Sequence, residues 1–377
     1  MPMLQFEKFS DEWGPEKIIY ASDARTGLKA VLVIDSTALG PGKGGMRLSH
    51  DLTINEVFRL ARAMTWKNAL AGLPFGGAKS GIKSNATSPK DKQALVRAFA
   101  RALREVVPSL YIAGPDMRTG EAEMAAFSDE LGTRKACTGK PAAMGGLPHE
   151  LGSTGFGVAE SAEVALGFQG LGAAGASVAI EGFGNVGTFT ARFLTEKGAK
   201  VVAVSDSLGA VYNKNGLDVD SLISWKEVEK KSVSTFEGGS AMDAHELFCL
   251  PVDVLVPGAK PDVINSSNIN SIKAKIIVEG ANIPVSVDIG GKDGEQLLSD
   301  RGILVVPDFV ANAGGVISSY VEFLGGNEGK MFSMVKEKIR ANTKLVLENS
   351  KNEGIIPRQA ALRLAQARVR EAMEKRK

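Results

Sequence analysis

Apolar and polar positions along this chain follow two different periods, and the switching between them divides the sequence. Up to about residue 140, strand-like and helix-like pieces alternate. Residues 29–34 (KAVLVI) are β-branched and apolar, the composition of a strand. Within residues 51–72 the apolar positions Val57, Leu60, Ala61 and Met64 recur at helical spacing, and Thr53 with Glu56 forms a capping box ahead of them. Residues 110–113 predict a short strand that runs into Pro115-Asp116. The helix after it takes Thr119 as its N-cap and Gly132 as its stop.

Residues 139–157 change character. TGKPAAMGGLPHELGSTGFG is dense in Gly, Pro and small residues, which predicts a hinge or a cofactor-facing loop. Beyond it, strand-like runs at 178–181, 201–205, 253–256, 275–279 and 303–306 are separated by helical stretches, the pattern of a parallel, doubly wound sheet. From about residue 331 the chain is charged and amphipathic, with Pro357 placed to start a helix. The expected fold is therefore α/β: an N-terminal α/β domain over 1–145, a Rossmann-type domain over 146–330, and C-terminal helices over 331–377 that return to the first domain. A length of 377 residues suits two domains better than one.

Composition narrows the partners. The net charge is only +2, with Lys/Arg interspersed among Asp/Glu, so nothing points to nucleic acid or to a membrane surface. No run approaches the roughly 20 apolar residues of a membrane span. MPMLQFEKFSDEW has no apolar core of signal-peptide length. Two distant cysteines and three histidines offer no metal-ligand spacing, so no metal site is expected. A reduced, cytoplasmic setting follows as the expectation.

The strand at 178–181 runs directly into Gly182-Phe-Gly184-Asn185-Val186-Gly187, and a helix follows. A bare GxGxxG is a weak signal, since a structural glycine turn looks the same. Here it has its required context of strand before and helix after, with a second strand ending in Asp206 some twenty residues on. Gly182 permits the tight turn, Gly184 lets backbone approach a pyrophosphate, and Gly187 lets helix and strand pack closely. The helix start, at Asn185 and Val186, offers free N–H groups to phosphate. Asp206, with no Arg closely following, suits the ribose hydroxyls of NAD better than the 2′-phosphate of NADP.

Three lysines of the first domain stand in unusual company. Lys43 lies in GPGKGG, Lys67 in MTWKN and Lys79 in GGAKSG, among apolar and glycine residues rather than other charges. Lys67 continues the apolar stripe of its helix three residues after Met64, where a snorkelling side chain at the edge of the core would also fit. Three such lysines in forty residues, followed by Asp116 at a strand end, favour a cleft. Clustered lysines repel one another, which can make one a base near neutral pH, while the rest stay charged and bind carboxylates.

GPGKGG, MTWKNALAGLPFGGAKSGI, YIAGPDMRTG, GSTGFG, GFGNVG, VEGAN and NAGGVISSYVE occur in the order seen in the glutamate/leucine/phenylalanine/valine dehydrogenase family, which the chain resembles over roughly residues 15–325. The resemblance implies reversible oxidative deamination of an L-amino acid to a 2-oxo acid and ammonia, with hydride passing to NAD or NADP. It implies that Lys79 activates the attacking water, that Asp116 shuttles protons, and that Lys67 holds the α-carboxylate with Met64 lining the same pocket. It further implies cofactor contacts at Thr154 and Asn185, Asn282 and Asn312 near the nicotinamide, and a homohexamer. The chemistry is sound on its own terms: an amine must shed protons before hydride leaves, and water must be deprotonated to attack the iminium.

Within that family, glutamate enzymes resemble this chain in a lysine at Lys43 and a serine at Ser319, where leucine-type enzymes carry apolar residues. A buried Lys43 without an anion would be costly, which favours a substrate with a side-chain carboxylate. Phe156 and Arg118 depart from the family pattern, and the length is nearer the leucine type. A leucine/valine/phenylalanine-type dehydrogenase and a catalytically silent regulatory paralogue are the alternatives. The presence of Lys67, Lys79 and Asp116 together argues against the silent one.

Overall fold

The computed structural model describes residues 10–376, so the first nine residues of the N-terminal segment read above lie outside the described residues. The chain forms two compact units. One runs as far as Leu151 and takes in Val316–Met331 and the chain from Ala365; the other comprises Gly152–Gly315 and Phe332–Leu364.

The first unit contains β1 (Lys17–Asp23), β2 (Leu28–Ser36), β3 (Gly42–Ser49), α1 (Ile54–Leu70), β4 (Gly76–Lys83), α2 (Pro89–Ala102), β5 (Tyr111–Pro115) and α3 (Glu121–Leu131). Its sheet has the order β1-β2-β4-β3-β5. β2 is antiparallel to β1 and β4, whereas β3 runs parallel to β4 and β5. The strand expected at 29–34 is β2, buried along most of its length, and its Leu32 and Ile34 join Met46, Leu48, Ile82, Phe99 and Phe127 in one core. The helix expected at 51–72 is α1, where the Thr53 hydroxyl accepts from the Glu56 N–H at 3.2 Å. Gly132 stops α3 in the left-handed conformation that suits glycine. Thr119 is not its N-cap. Its hydroxyl is drawn back to the Met46 carbonyl at 2.6 Å, and Gly120 takes the cap position with its N–H received by the Glu123 carboxylate.

Strands β3 (GKGGMRLS) and β4 (GGAKSGIK) carry no strand-like pattern, because their glycines serve close approach instead. A Cβ on Gly77 would stand 2.3 Å from the Thr65 amide nitrogen of α1, and one on Gly44 would stand 1.6 Å from the Ala78 carbonyl oxygen. Gly77 thus lets α1 lie directly on the sheet, and Gly44 lets β3 lie close against β4.

The second unit contains α4 (Ser153–Phe168), β6 (Ser177–Glu181), α5 (Asn185–Glu196), β7 (Lys200–Asp206), β8 (Gly209–Tyr212), α6 (Val219–Glu227), β9 (Ser240–Met242), β10 (Val254–Pro257), β11 (Ile276–Val278), α7 (Gly294–Asp300), β12 (Leu304–Val306) and α8 (Asp308–Ala311). The sheet order is β12-β11-β10-β6-β7-β8-β9, parallel from β12 through β7. All five strands expected in this half are present. With β7 on one side of β6 and β10 on the other, the order reverses beside β6, where doubly wound sheets bind ligands.

The glycine-rich segment expected as a loop becomes helical at Ser153. Gly155 is there because α4 packs on α5: its Cβ would stand 2.6 Å from Phe189 Cβ. Phe156 packs edge-on against Phe193 and Phe332. Three helices end the chain, α9 (Gly314–Phe323), α10 (Glu328–Glu353) and α11 (Pro357–Glu374), the last beginning at the expected proline. Residues 332–364 belong with the second unit and those from Ala365 with the first. There Arg368 donates to the Ala69 and Leu70 carbonyls at the end of α1. No helix among the described residues is long and apolar enough to cross a membrane.

Candidate active site

In the first unit, the parallel strands β4, β3 and β5 lie side by side and set the spacing of three charged groups. Lys79 sits on β4, and Asp116 follows directly on β5. The Lys79 ammonium and the Asp116 carboxylate form a direct ion pair, with side chains only 9% and 14% exposed. Glycine makes the room: a Cβ on Gly45 would lie 2.8 Å from the Asp116 carboxylate. Arg47, two residues further along β3, donates to the same carboxylate at 3.2 Å and also pairs with Glu56. Burial pushes the Asp116 carboxyl upward, but Lys79 and Arg47 outweigh it and hold it below the usual carboxylate range. Asp116 is therefore an anion at neutral pH, flanked by two cations.

Lys43 lies across Gly114, whose Cβ would meet its Nζ at 2.6 Å. The ammonium is 4% exposed and donates to the Ala113 carbonyl at 3.1 Å. Among the described residues no carboxylate stands within ion-pair range of it. Burial pushes its pKa down to about 8, against the opposing pull of the Glu322 carboxylate. Glu322 itself is committed elsewhere, to Lys140 Nζ at 2.5 Å and to the N–H groups of Gly139 and Leu147. Ser319, half-buried, precedes Glu322 by one helical turn on α9. Met64 and Lys67 are likewise half-buried, three residues apart on α1.

The second unit assembles the dinucleotide features at the carboxyl end of β6. Gly182 has φ +89°, and a Cβ on Gly187 would stand 1.8 Å from the Gly182 carbonyl oxygen, whereas the space around Gly184 is open. No side chain caps the first turn of α5, which leaves the amides from Asn185, Val186 and Gly187 facing that space. The turn thus fits a dinucleotide pyrophosphate. Thr154 lies in the first turn of α4, which packs on α5. On the far side of the reversal, the Asn312 carboxamide, 4% exposed, donates to the Gly280 and Ala281 carbonyls and, at 3.0 Å, to Asn282 Oδ1.

Asp206, expected at a ribose, is bonded within the chain. One carboxylate oxygen accepts from Leu208 N–H and Ser232 Oγ, both at 2.9 Å; the other takes Lys226 Nζ at 2.5 Å and Val233 N–H at 3.0 Å. Burial raises its carboxyl, but these donors prevail and hold it below the ordinary range. The last three of these contacts tie Asp206 to the segment at 226–233. Lys226, twenty residues away, left no mark in the spacing of the motif.

Arg47 escaped the sequence reading, although a signal existed. It stands four residues after Lys43, on the same face of a strand with a period of two, and β3 carried no strand pattern. Glu322 and Lys140 likewise escaped, since their pairing across 182 residues leaves no local trace.

Sequence families match both halves of the chain. Residues 15–133 match the one described as Glu/Leu/Phe/Val dehydrogenase, dimerisation domain, and residues 145–377 the one described as Glutamate/Leucine/Phenylalanine/Valine dehydrogenase. A glutamate dehydrogenase of Aeropyrum pernix is 40% identical over 361 residues, covering 90% of this chain and 85% of the relative. An NADP-specific glutamate dehydrogenase of Saccharolobus shibatae is 40% identical over 84% of this chain and 74% of its own. The solved structure of the hetero-hexameric glutamate dehydrogenase from Thermus thermophilus, in its Leu-bound form, superposes with a TM-score of 0.83 at 29% identity, covering 96% of this chain and 90% of that one.

Proposed function

We propose that this chain, which belongs to the Glutamate/Leucine/Phenylalanine/Valine dehydrogenase family, converts L-glutamate, water and NAD(P)+ reversibly to 2-oxoglutarate, ammonium, NAD(P)H and a proton. The observation that carries the choice of glutamate is Lys43: a nearly fully buried ammonium bonded to one backbone carbonyl, with no carboxylate in ion-pair range among the described residues. A buried cation needs an anion, and a side-chain carboxylate supplies it. Ser319 adds a hydroxyl to that carboxylate. Lys67 holds the α-carboxylate, with Met64 against the carbon chain. Steady-state reductive amination of a panel of 2-oxo acids tests the reading: 2-oxoglutarate should lead, and a preference for 2-oxo-isocaproate would overturn it.

Lys79 and Asp116 carry the proton traffic. Asp116, held ionised by Lys79 and Arg47, takes a proton from the substrate ammonium. Lys79, once deprotonated, takes the proton of the water that attacks the imine carbon. The direct ion pair gives the two groups a path for exchanging protons. The dinucleotide, when bound, accepts hydride from the substrate Cα. The Gly182–Gly187 turn would hold its pyrophosphate, with Thr154 and Asn185 beside it, and Asn282 and Asn312 would serve the nicotinamide half. Assembly as a homohexamer belongs to the same reading; the six-subunit assembly is supported by the T. thermophilus relative, itself a hetero-hexamer. So does a cytoplasmic setting, which suits two free cysteines.

Two results follow for this site. Because Lys43 titrates near pH 8, the Michaelis constant for 2-oxoglutarate is expected to rise once pH passes that value, by up to about tenfold per unit. The Lys43→Leu enzyme should show no such rise over the same range; a parallel rise in both would remove Lys43 from the substrate.

The second result concerns the cofactor. With Asp206 neutralised by Lys226, neither a ribose acceptor nor a repelling charge favours NAD, so NADH and NADPH should differ by no more than about tenfold in kcat/KM, on the order of 1.4 kcal/mol. Lys226→Ala would free a carboxylate oxygen and shift the ratio towards NADH. A wild-type preference for NADH above about a hundredfold would mean that Asp206 leaves Lys226 for the ribose.

A further inference from the structure

The segment after β11 holds a residue in a conformation its side chain disfavours. Ile283 has φ +49°, the left-handed region, which a β-branched residue rarely enters. Its side chain is 41% exposed, so packing contributes little to holding it there. Such a conformation persists only where surrounding groups impose it.

Those groups are visible. The Ile283 N–H donates to Asp308 Oδ2 at 3.0 Å, and its carbonyl accepts from Asp262 N–H at 3.0 Å. Asp308, 6% exposed, is the first residue of α8. Its position is set from two sides: its own N–H donates to Glu279 Oε2 at 2.8 Å, and the Arg358 guanidinium pairs with its Oδ1 at 3.0 Å. Arg358, in the first turn of α11, also donates to Glu279 at 2.7 Å and pairs with Glu295. One turn after Asp308, Asn312 grips the other end of the same segment through Gly280, Ala281 and Asn282. α8 and its C-cap therefore hold both ends of the 280–283 turn, Asp308 at the Ile283 N–H and Asn312 at the Gly280 and Ala281 carbonyls and at Oδ1 of the Asn282 side chain.

We propose that Asp308 is a positioning residue for hydride transfer: by holding Ile283 left-handed it fixes where Asn282 stands against the nicotinamide. This rests on the reading above that Asn282 serves the nicotinamide half. Arg358 and Glu279 act one step further back, by fixing Asp308. Without the clamp the turn relaxes towards negative φ and Asn282 leaves its place. The adenosine half, held at Gly182–Gly187, keeps its affinity, so the loss falls on turnover rather than on binding.

The test is a double-mutant cycle read in kcat and in dinucleotide dissociation constant. Asp308→Ala should lower kcat by about ten- to a hundredfold with the NAD(P)H dissociation constant within about threefold. In an Ile283→Gly background the left-handed turn no longer needs holding, and the same Asp308→Ala change should cost about five- to thirtyfold less. A structural role would lower the melting temperature in both backgrounds alike and leave the kcat ratio of the two unchanged. Equal losses of kcat with Ile or Gly at 283, or an unchanged kcat in Asp308→Ala, overturn the proposal. Should Asp308→Ala not fold, the cycle is run with Asp308→Leu, which fills the same space without an acceptor for the Ile283 N–H, and read by the same ratio. Wild-type turnover of 2-oxoglutarate in the same assay tests the underlying function. If another 2-oxo acid proves to be the substrate, the cycle is run on that one, so the two failures are told apart.

Discussion

Replacing Lys79 by alanine is expected to lower kcat by about 10³-fold or more, while NAD(P)H binds within a few-fold of wild type. General acid–base groups contribute roughly 10²–10⁴-fold each, and Lys79 has no substitute on its strand. Its neighbours on β4 are Ala78 and Ser80, and the two adjacent cations have other tasks: Arg47 is engaged with Asp116 and Glu56, and Lys43 with the Ala113 carbonyl. The dinucleotide features all lie in the second unit, so the loss should appear in turnover and not in cofactor affinity. Asp116→Asn should behave alike. The amide keeps the shape and can still accept from Arg47, but it cannot take up a proton. Since the pair exchanges one proton, Lys79→Ala with Asp116→Asn should be little worse than either alone. Pre-steady-state kinetics with fluorescence titration of NADH and NADPH reads both quantities. A Lys79→Ala enzyme that turns over at a near-normal rate would refute the assignment.

The parts of this molecule that follow one local rule were legible in the sequence. The five parallel strands of the second unit, α1 with its Thr53 cap, Gly132 as a helix stop and Pro357 as a helix start all rest on residues within a few positions of one another. Glycine was read correctly where it bounds a turn and at Gly187 in its motif, and missed where it serves packing outside a motif. In β3, β4 and the first turns of α4, glycine permits two backbones to meet, and the strand or helix signal is lost with the side chains. Lys43, Lys79 and Asp116 stood out because charge among glycines is rare. Arg47, which pairs with Asp116, and Glu322, which lies near Lys43, did not, because recognising them needs the register of β3 and the fold of α9. Asp206 shows the same limit from the other side. A motif position states which side chain is present, while Lys226 and Ser232, brought in from distant sequence, decide what its carboxylate bonds to.

Substrate choice separates the readings furthest. 2-Oxoglutarate should exceed 2-oxo-isocaproate in kcat/KM by roughly 10²–10⁴-fold, on the basis of two charge-assisted hydrogen bonds worth about 1.5–3 kcal/mol each. The structure sharpens this expectation at Lys43. The ammonium has three donors, one of which the Ala113 carbonyl takes at 3.1 Å, and the remaining two suit a carboxylate. Glu322 pulls on Lys43 from nearby, yet its oxygens are taken by Lys140 and by the amides of Gly139 and Leu147. Lys43→Leu should therefore lower activity on 2-oxoglutarate by a similar factor and raise the relative rate on 2-oxo-isocaproate, since the new side chain removes both the attraction and the cost of leaving a buried cation unpaired. Phe156, which departs from the family pattern, packs against Phe193 and Phe332 within the second unit. Steady-state reductive amination of a panel of 2-oxo acids, with both enzymes and saturating ammonium, reads the whole pattern. If the wild type prefers 2-oxo-isocaproate, the neighbouring Glu322 carboxylate must be the anion that Lys43 answers to. The assignment to glutamate would then fall, and the place of Lys79 and Asp116 in the chemistry would stand.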